Sequence, residues 1–301
     1  MFWLIILYLN LVMFMDIVYP HLYDITDKRS ALNQNYFMRG LMAEYAMLVA
    51  LTINTLLSYD EKYLVNFIMF LSLIILLSVR NYINFEQRWY KYRAVTESIK
   101  TTTWKFAMKV EPFNSTDESD DIKIYTSYLR DIVKDSKYAI ETEALSNIDG
   151  NSYNVCLKAI REMNFRQRRD LYTEQRIVEQ REWYAKKAVH NRKNGRAWAA
   201  IILFLYILSL TMTGYLATDP SQASSLPIEL VTTIVSSMIG WVQIKKYNEL
   251  SASYTLTAHE IGLIKEQSAY VTSEKDFVDF VRDAETAFSR EHTQWRARRI
   301  A

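Results

Sequence analysis

The sequence predicts an all-α membrane protein: two transmembrane helical hairpins with long cytoplasmic helical extensions. Three observations predict it. Four apolar runs each approach the length a helix needs to cross a hydrocarbon core of roughly 30 Å. Only six Gly and four Pro occur in 301 residues, which favours long helices with little loop. Lys and Arg crowd the flanks of the apolar runs and avoid their short connections.

The first run is Leu41–Ser58, interrupted only by Glu44. The second, Tyr63–Val79, carries no charge, and neither does the third, Ala197–Thr218. The fourth is Ile228–Ile244, with Glu229 at its mouth. A buried soluble helix of such length keeps a polar face, and these do not. The spans are therefore expected at about 41–58, 63–79, 197–217 and 228–244. Tyr59–Lys62 joins the first pair. Asp219–Pro227, Ser-rich and bounded by Pro220 and Pro227, joins the second as a turn.

Orientation follows from the flanks. Lys28, Arg29 and Arg39 precede the first run, and Arg80, Arg88, Lys91 and Arg93 follow the second. Lys186, Lys187, Arg192, Lys193 and Arg196 precede the third, and Lys245 and Lys246 follow the fourth. The two hairpin turns hold one Lys and no Arg. Both turns are thus expected outside and the central region and C-terminus in the cytoplasm.

Residues 1–16 form an apolar N-terminal extension. Its run over 1–15 lacks a basic n-region and a small-residue cleavage site, so it makes a poor signal peptide. Three readings stand: a membrane-surface helix, a partial insertion, or a translated stretch upstream of a start at Met15. The last two are favoured. Residues 17–113 make a first two-span unit, 114–152 a linker and cytoplasmic helix, and 153–301 a second two-span unit.

From Tyr63 to Val110 there is neither Gly nor Pro. The second membrane helix is expected to run on until Pro112, projecting roughly 40 Å at ~1.5 Å per residue. Asn151–Asn194 also lacks both and is expected to feed into the third span, with a face dense in charge at Arg166–Asp170 and Arg176–Arg181. The fourth span is expected to continue as Lys245–Val271. A last helix over Ser273–Arg299 starts from a Ser273 cap and a first-turn Glu274. Each half is two spans and a long helix, a loose internal repeat.

Chemistry-bearing residues are sparse. Arg88-Trp89-Tyr90-Lys91-Tyr92-Arg93 reads either as an interfacial belt with snorkelling cations or as a surface for anionic lipid or nucleotide. Arg93 and Glu97, four apart, pair on one helix face, and Lys100 and Trp104 continue near it. Trp183, Tyr184 and Lys187 form a comparable set before the third span. In the last helix Glu285, Ser289 and His292 share a face, with Glu291 and Trp295 on the adjacent one. One His without a second His or a Cys is weak as a metal site. In the fourth span Thr232, Ser236 and Gly240 recur every four residues, a stripe that either packs against a helix or lines a pore. Glu44 must face a partner or water.

Net charge is +2, from 36 basic and 34 acidic residues, which gives no general pull towards nucleic acid. Cys156 is the only cysteine, so no intrachain disulfide forms. No phosphate-binding loop, nucleophile elbow, zinc motif or paired-carboxylate motif occurs. An enzyme, a resident metal and a cofactor are therefore not expected.

The stretch Trp89-Tyr90, Arg93-Ala94-Val95, Glu97-Ser98-Ile99-Lys100 and Trp104, ending at Glu111-Pro112-Phe113, resembles the SLATT family, the SMODS and SLOG-associating two-transmembrane effector domains. Tyr19-Pro20 with Leu22-Tyr23 fits too. So do Gln180, Trp183-Tyr184, Lys187-Ala188 and Asn191, and the closing Ala284-Glu285, Ser289-Arg290-Glu291-His292 and Trp295. The resemblance runs from about Ile17 to the end, as two domains in tandem, and the apolar start departs from it.

The resemblance implies a membrane effector of a bacterial anti-phage or conflict system in the inner membrane. It would form a pore or disrupt the bilayer when a cyclic oligonucleotide, another nucleotide signal or a nucleotide-sensing partner triggers it. A homo-oligomer is implied, and no catalytic residues carry over. The alternative is a non-conducting membrane scaffold or sensor that docks cytoplasmic partners through Asn151–Asn194 and Ser273–Arg299. A small-solute transporter fits less well, because no span is broken by Pro.

Overall fold

The computed structural model describes residues 16–135, 153–222 and 226–300, with side chains throughout except at 135, 222 and 289–300. The expectations for residues 1–15 lie outside that description. Every regular element in it is helical. In chain order these are α1 (His21–Leu56), α2 (Lys62–Ile83), α3 (Phe85–Ala107), α4 (Glu118–Asp135), α5 (Val155–Glu162) and α6 (Phe165–Tyr172). A π-helical turn (Thr173–Val178) leads into α7 (Glu179–Thr218), followed by α8 (Ile228–Lys245), α9 (Tyr247–Gln267) and α10 (Glu274–Ile300).

The helices form two compact units. The first gathers residues up to Gln34, Glu86–Trp183 and Thr257 onward; the second gathers Asn35–Phe85 and Tyr184–Leu256. The long helices α1 and α7 supply residues to both.

The first unit has the core of a water-soluble helical protein. Ile99, Trp104, Phe106, Met108, Tyr125, Leu157, Ile160 and Phe277 are fully buried. Phe106 stacks on Tyr125 with ring centroids 4.2 Å apart, and Phe113 meets Phe106 edge-on at 5.6 Å. The start of α10 is a capping box: Ser273 Oγ accepts from the Asp276 amide, and Asp276 Oδ2 accepts from the Ser273 amide.

The second unit is inverted. Not one residue of α2 is buried. Ten large apolar side chains between Tyr63 and Val79 are 44–76% exposed. Ile201, Phe204, Ile207 and Leu210 of α7 are equally bare. Fully hiding such a side chain from water is worth about 1.5–3 kcal/mol, so leaving ten of them half wet forfeits on the order of 10 kcal/mol. That rivals the net stability of a whole domain, roughly 5–15 kcal/mol. Lipid, not water, is the solvent of this face.

Among the described residues, three helical stretches are long and apolar enough to cross a membrane: His21–Leu56, Lys62–Ala107 taken across Asn84, and Phe165–Thr218. The helix over the fourth expected span, α8, has 18 residues and is not among them. Thr232, Thr233, Ser236, Ser237 and Gly240 dilute its hydropathy, and Glu229 and Lys245 lie at its ends.

The structure corrects three expected continuities. The second span does not run unbroken to Pro112: Asn84, in left-handed geometry (φ 54°), separates α2 from α3. The fourth does not run unbroken to Val271: Lys246 (φ 50°) separates α8 from α9. Nor is Asn151–Asn194 one helix, because Met163 and Asn164 are extended and Asn164 opens a capping box with Gln167. The Asn164 side chain caps the amides of the helix that follows it, whereas Asn84 and Lys246 close the helices before them with their own backbone amides, so neither kind of break needs Gly or Pro.

The paired breaks sharpen the internal repeat. Each hairpin's second helix ends in one left-handed residue, whose amide donates four residues back, and a helix of 23 or 21 residues follows.

Candidate functional site

Two arrangements stand out, one in each unit. In the first unit a carboxylate and a guanidinium face each other with almost no contact with solvent. Glu285 of α10 and Arg176 of the π turn have side chains 0% and 1% exposed. Arg176 donates from Nε to Glu285 Oε1 and from Nη2 to Oε2, both at 2.8 Å. The Tyr172 hydroxyl donates to Oε1 and the Thr101 hydroxyl to Oε2, both at 2.9 Å. Glu285 thus accepts four hydrogen bonds, and the guanidinium lies over the Phe288 ring, 4.8 Å from its centroid. Burial opposes the charge on Arg176, but the Glu285 carboxylate outweighs it and raises its pKa above the ordinary arginine value. Arg176 Nη1 is buried without a hydrogen-bond partner.

The π turn places Arg176 there. Arg161, Arg168 and Arg176 are all buried on consecutive helical segments. In a π turn the hydrogen bond reaches five residues back, so the wider coil delays rotation. Residue 176 then returns towards the face that carries residue 168. The lower arginines are held alike. Arg161 bonds to Asp121 and the Phe106 carbonyl and lies 4.3 Å from the Phe106 centroid. Arg168 bonds to Glu274 and donates to the Met108 carbonyl at 2.7 Å. The expected charged face is therefore split: Arg168 and Arg176 are interior, while Arg166 and Arg181 remain at the surface.

Around this pair sit most of the residues singled out in α3. Arg93 pairs with Glu97 at 2.7 Å, as the four-residue spacing predicts. Trp104 is fully buried and its indole N–H donates to the Tyr19 hydroxyl at 2.8 Å. Tyr19 stacks on Tyr23 at 4.4 Å. Burial raises the Tyr19 phenol above its ordinary pKa. Burial, with Arg176 adding to it, lowers the Lys100 ammonium below its ordinary value. Trp89, Tyr90 and Tyr92 are buried, so the run Arg88–Arg93 is not an exposed aromatic belt.

Other candidates stand apart. Trp183 is 40% exposed, Tyr184 is buried against Tyr254 with ring centroids 5.5 Å apart, and Lys187 is exposed. The side chains of Glu291 and His292 lie outside the described residues. Sequence reasoning missed Arg176, Tyr172, Thr101 and Tyr19. The available signal was that Arg161, Arg168 and Arg176 interleave with Leu157, Ile160, Leu171 and Ile177, as members of an apolar stripe rather than of its opposite face.

In the second unit Arg80 Nη1 meets Glu44 Oε2 at 2.6 Å, which supplies the partner Glu44 requires. The other oxygen, Oε1, is buried without a hydrogen-bond partner. Towards the hairpin turns lies a cleft of about 540 Å³ between α1 and α8, floored by α2. Thr52, Thr55, Asn66, Glu229, Thr232 and Ser236 contribute its polar lining. Thr52 donates to the Thr233 hydroxyl at 3.2 Å. Gly240 closes the inner end: a Cβ there would lie 2.5 Å from the Tyr45 hydroxyl. The stripe is thus divided in role, with Gly240 packing and Thr232 and Ser236 facing open space.

Lipid-facing helices joined to a well-packed helical core define the class: an all-α membrane protein with a second, conventionally buried helical unit. Two family profiles match in tandem. SMODS and SLOG-associating 2TM effector domain 3 matches residues 20–169, and SMODS and SLOG-associating 2TM effector domain 1 matches residues 172–295. The chain belongs to the SLATT family. No curated protein and no solved structure matches it.

Proposed function

We propose that the chain is a membrane effector of a bacterial defence system that permeabilises the inner membrane when a nucleotide signal or a partner protein acts on its cytoplasmic unit. On this reading four spans cross the bilayer with both hairpin turns outside and the C-terminus in the cytoplasm, as the Lys and Arg flanks support, and several copies assemble. The observation that carries this reading is the hydroxyl-lined cleft within a unit whose outer face is bare hydrocarbon. Polar groups at that depth are tolerated where they line water or protein. The family's two-span effector domains, present here twice, support it. The Arg176–Glu285 cluster fits the receiving end, since a buried ion pair offers two discrete states with a large gap between them. A ligand acts only as far as it binds one state better than the other.

The test is release of a trapped dye from liposomes carrying the purified chain, challenged with cyclic oligonucleotides. Release on one of them is expected. Intact vesicles under every challenge, together with tight capture of a cytoplasmic protein, would favour the non-conducting scaffold instead.

A further inference from the structure

The cleft of the second unit has a chemical sign. Hydroxyl groups can present either protons or lone pairs to a passing ion, and at Thr232, Thr233 and Thr55 the protons are committed to backbone carbonyls. Thr232 donates to the Ile228 carbonyl at 3.0 Å and Thr233 to the Glu229 carbonyl at 2.9 Å. Thr55 donates to the Thr52 carbonyl at 2.7 Å. What these three show to the cleft is oxygen lone pairs, the ligand class that replaces the water shell of a cation. The Asn66 side-chain oxygen is already engaged by Asn54 Nδ2 at 2.9 Å. No Lys, Arg or His lines the cleft, and the one charge in its lining is Glu229. Glu229 is exposed in the first turn of α8, at the end of the cleft nearest the hairpin turns.

The dimensions agree with half a passage. From Thr55 to Tyr45 is ten residues of α1, about 15 Å at 1.5 Å per residue, or roughly half of a hydrocarbon core of about 30 Å. There the cleft stops at the contact of Tyr45 with Gly240, where no side chain larger than hydrogen fits without moving the phenol. One residue further in, Glu44 holds Arg80 with one oxygen and leaves the other buried and unpartnered.

We propose that this cleft is the outer half of a monovalent-cation path, with Glu229 drawing cations to its mouth and Tyr45 against Gly240 as its gate. The inference rests on the pore reading above and adds the permeant ion and the gate. A carboxylate at the mouth of a low-dielectric cleft raises the local cation concentration and repels chloride. The threonine oxygens then carry partly dehydrated ions to the gate.

The experiment uses the full chain in planar bilayers under a potassium chloride gradient, with Tyr45→Ala and Gly240→Ala included so that no trigger is needed. Gly240→Ala displaces the flexible end of Tyr45 and serves where Tyr45→Ala lowers the yield of monodisperse protein. Both gate variants are expected to leak many-fold more than the parent chain, with a reversal potential near that of potassium. Adding Glu229→Gln is expected to reduce the potassium-to-chloride preference several-fold, and Glu229→Lys to shift it towards chloride. Leak without ion preference, or a preference unmoved by Glu229 substitution, overturns the cation path and leaves the pore reading intact. No current from well-folded gate variants overturns both.

Discussion

Glu285→Gln is the most informative single change, because it keeps the shape of the buried site and removes its charge. The glutamine leaves Arg176, whose side chain is 1% exposed, as an uncompensated guanidinium with one nitrogen already unpartnered. Of the four bonds Glu285 accepts, the two from Arg176 Nε and Nη2 cannot both be replaced, since the amide nitrogen only donates. Hydrogen bonds to a charged group contribute about 1.5–3 kcal/mol each, and four would sum to roughly 6–12 kcal/mol. That sum ignores the cost of taking two charges out of water, which cancels much of it. Broken buried pairs lose about 3–5 kcal/mol, and the lower figure applies here because the Gln oxygen still accepts one bond from Arg176 and one from a hydroxyl. About 3 kcal/mol corresponds to an unfolding constant raised roughly a hundredfold.

The assay is chemical denaturation in detergent micelles followed by tryptophan emission, to which fully buried Trp104 contributes as one of seven tryptophans. The partner change Arg176→Met and the double variant complete a cycle. The double variant is expected to be more stable than either single one, because both charges are then gone. A loss under about 1 kcal/mol for Glu285→Gln, or additive single losses, would refute the claim that the two groups act as one desolvated unit.

Three further outcomes follow from the same reasoning. Arg80→Ala strands Glu44 in the apolar run and is expected to cost about 3–5 kcal/mol; an added Glu44→Leu should restore much of the yield of folded protein, read by gel filtration in detergent. Lys246→Gly relieves a left-handed residue and is expected to stabilise by up to about 1 kcal/mol, whereas Asn84→Val, with a branched side chain at such a φ, should destabilise by about 1–2 kcal/mol in thermal melts. Burial holds the phenols of Tyr19, Tyr125 and Tyr172 protonated above their ordinary pKa. The unfolded chain ionises them near about 10, so their stabilisation is complete below that pH and drains away above it. Lys100, lowered by burial, acts in the opposite sense as pH climbs towards its ordinary value. The net expectation is a stability that falls above about pH 10, with phenolate absorbance from these tyrosines appearing only as tertiary structure is lost.

The membrane runs were legible because solvent chemistry writes itself plainly into composition. Tyr63–Val79 has no charge, and in the structure it has no buried residue either. The start of α10 was legible from Ser273 and Glu274, since a cap is a local rule. The pairing of Arg93 with Glu97 followed from helical spacing alone. By contrast, Arg176 was read as surface because arginine usually is, and its partner Glu285 lies 109 positions away. Nothing local announces such a contact. The breaks at Asn84 and Lys246 were hidden for the opposite reason: a single left-handed residue needs neither Gly nor Pro when its amide finds a carbonyl four residues back. Glu44 was correctly judged to need company, but only the fold could name Arg80.

The π turn over Thr173–Val178 holds one residue more than an ordinary helix would need at that place. Upstream it is anchored by Tyr172, and downstream the same rod continues unbroken through α7 to Thr218. If the spare residue were absorbed into regular coil, everything beyond it would turn by about 100°, the angle of one residue in an α-helix. Arg176 would swing off its carboxylate, and forty residues of α7 would rotate like a key. Deleting one residue between Thr173 and Val178 would instead remove the spare residue and hold the rod in its present register, with regular coil in place of the wide turn.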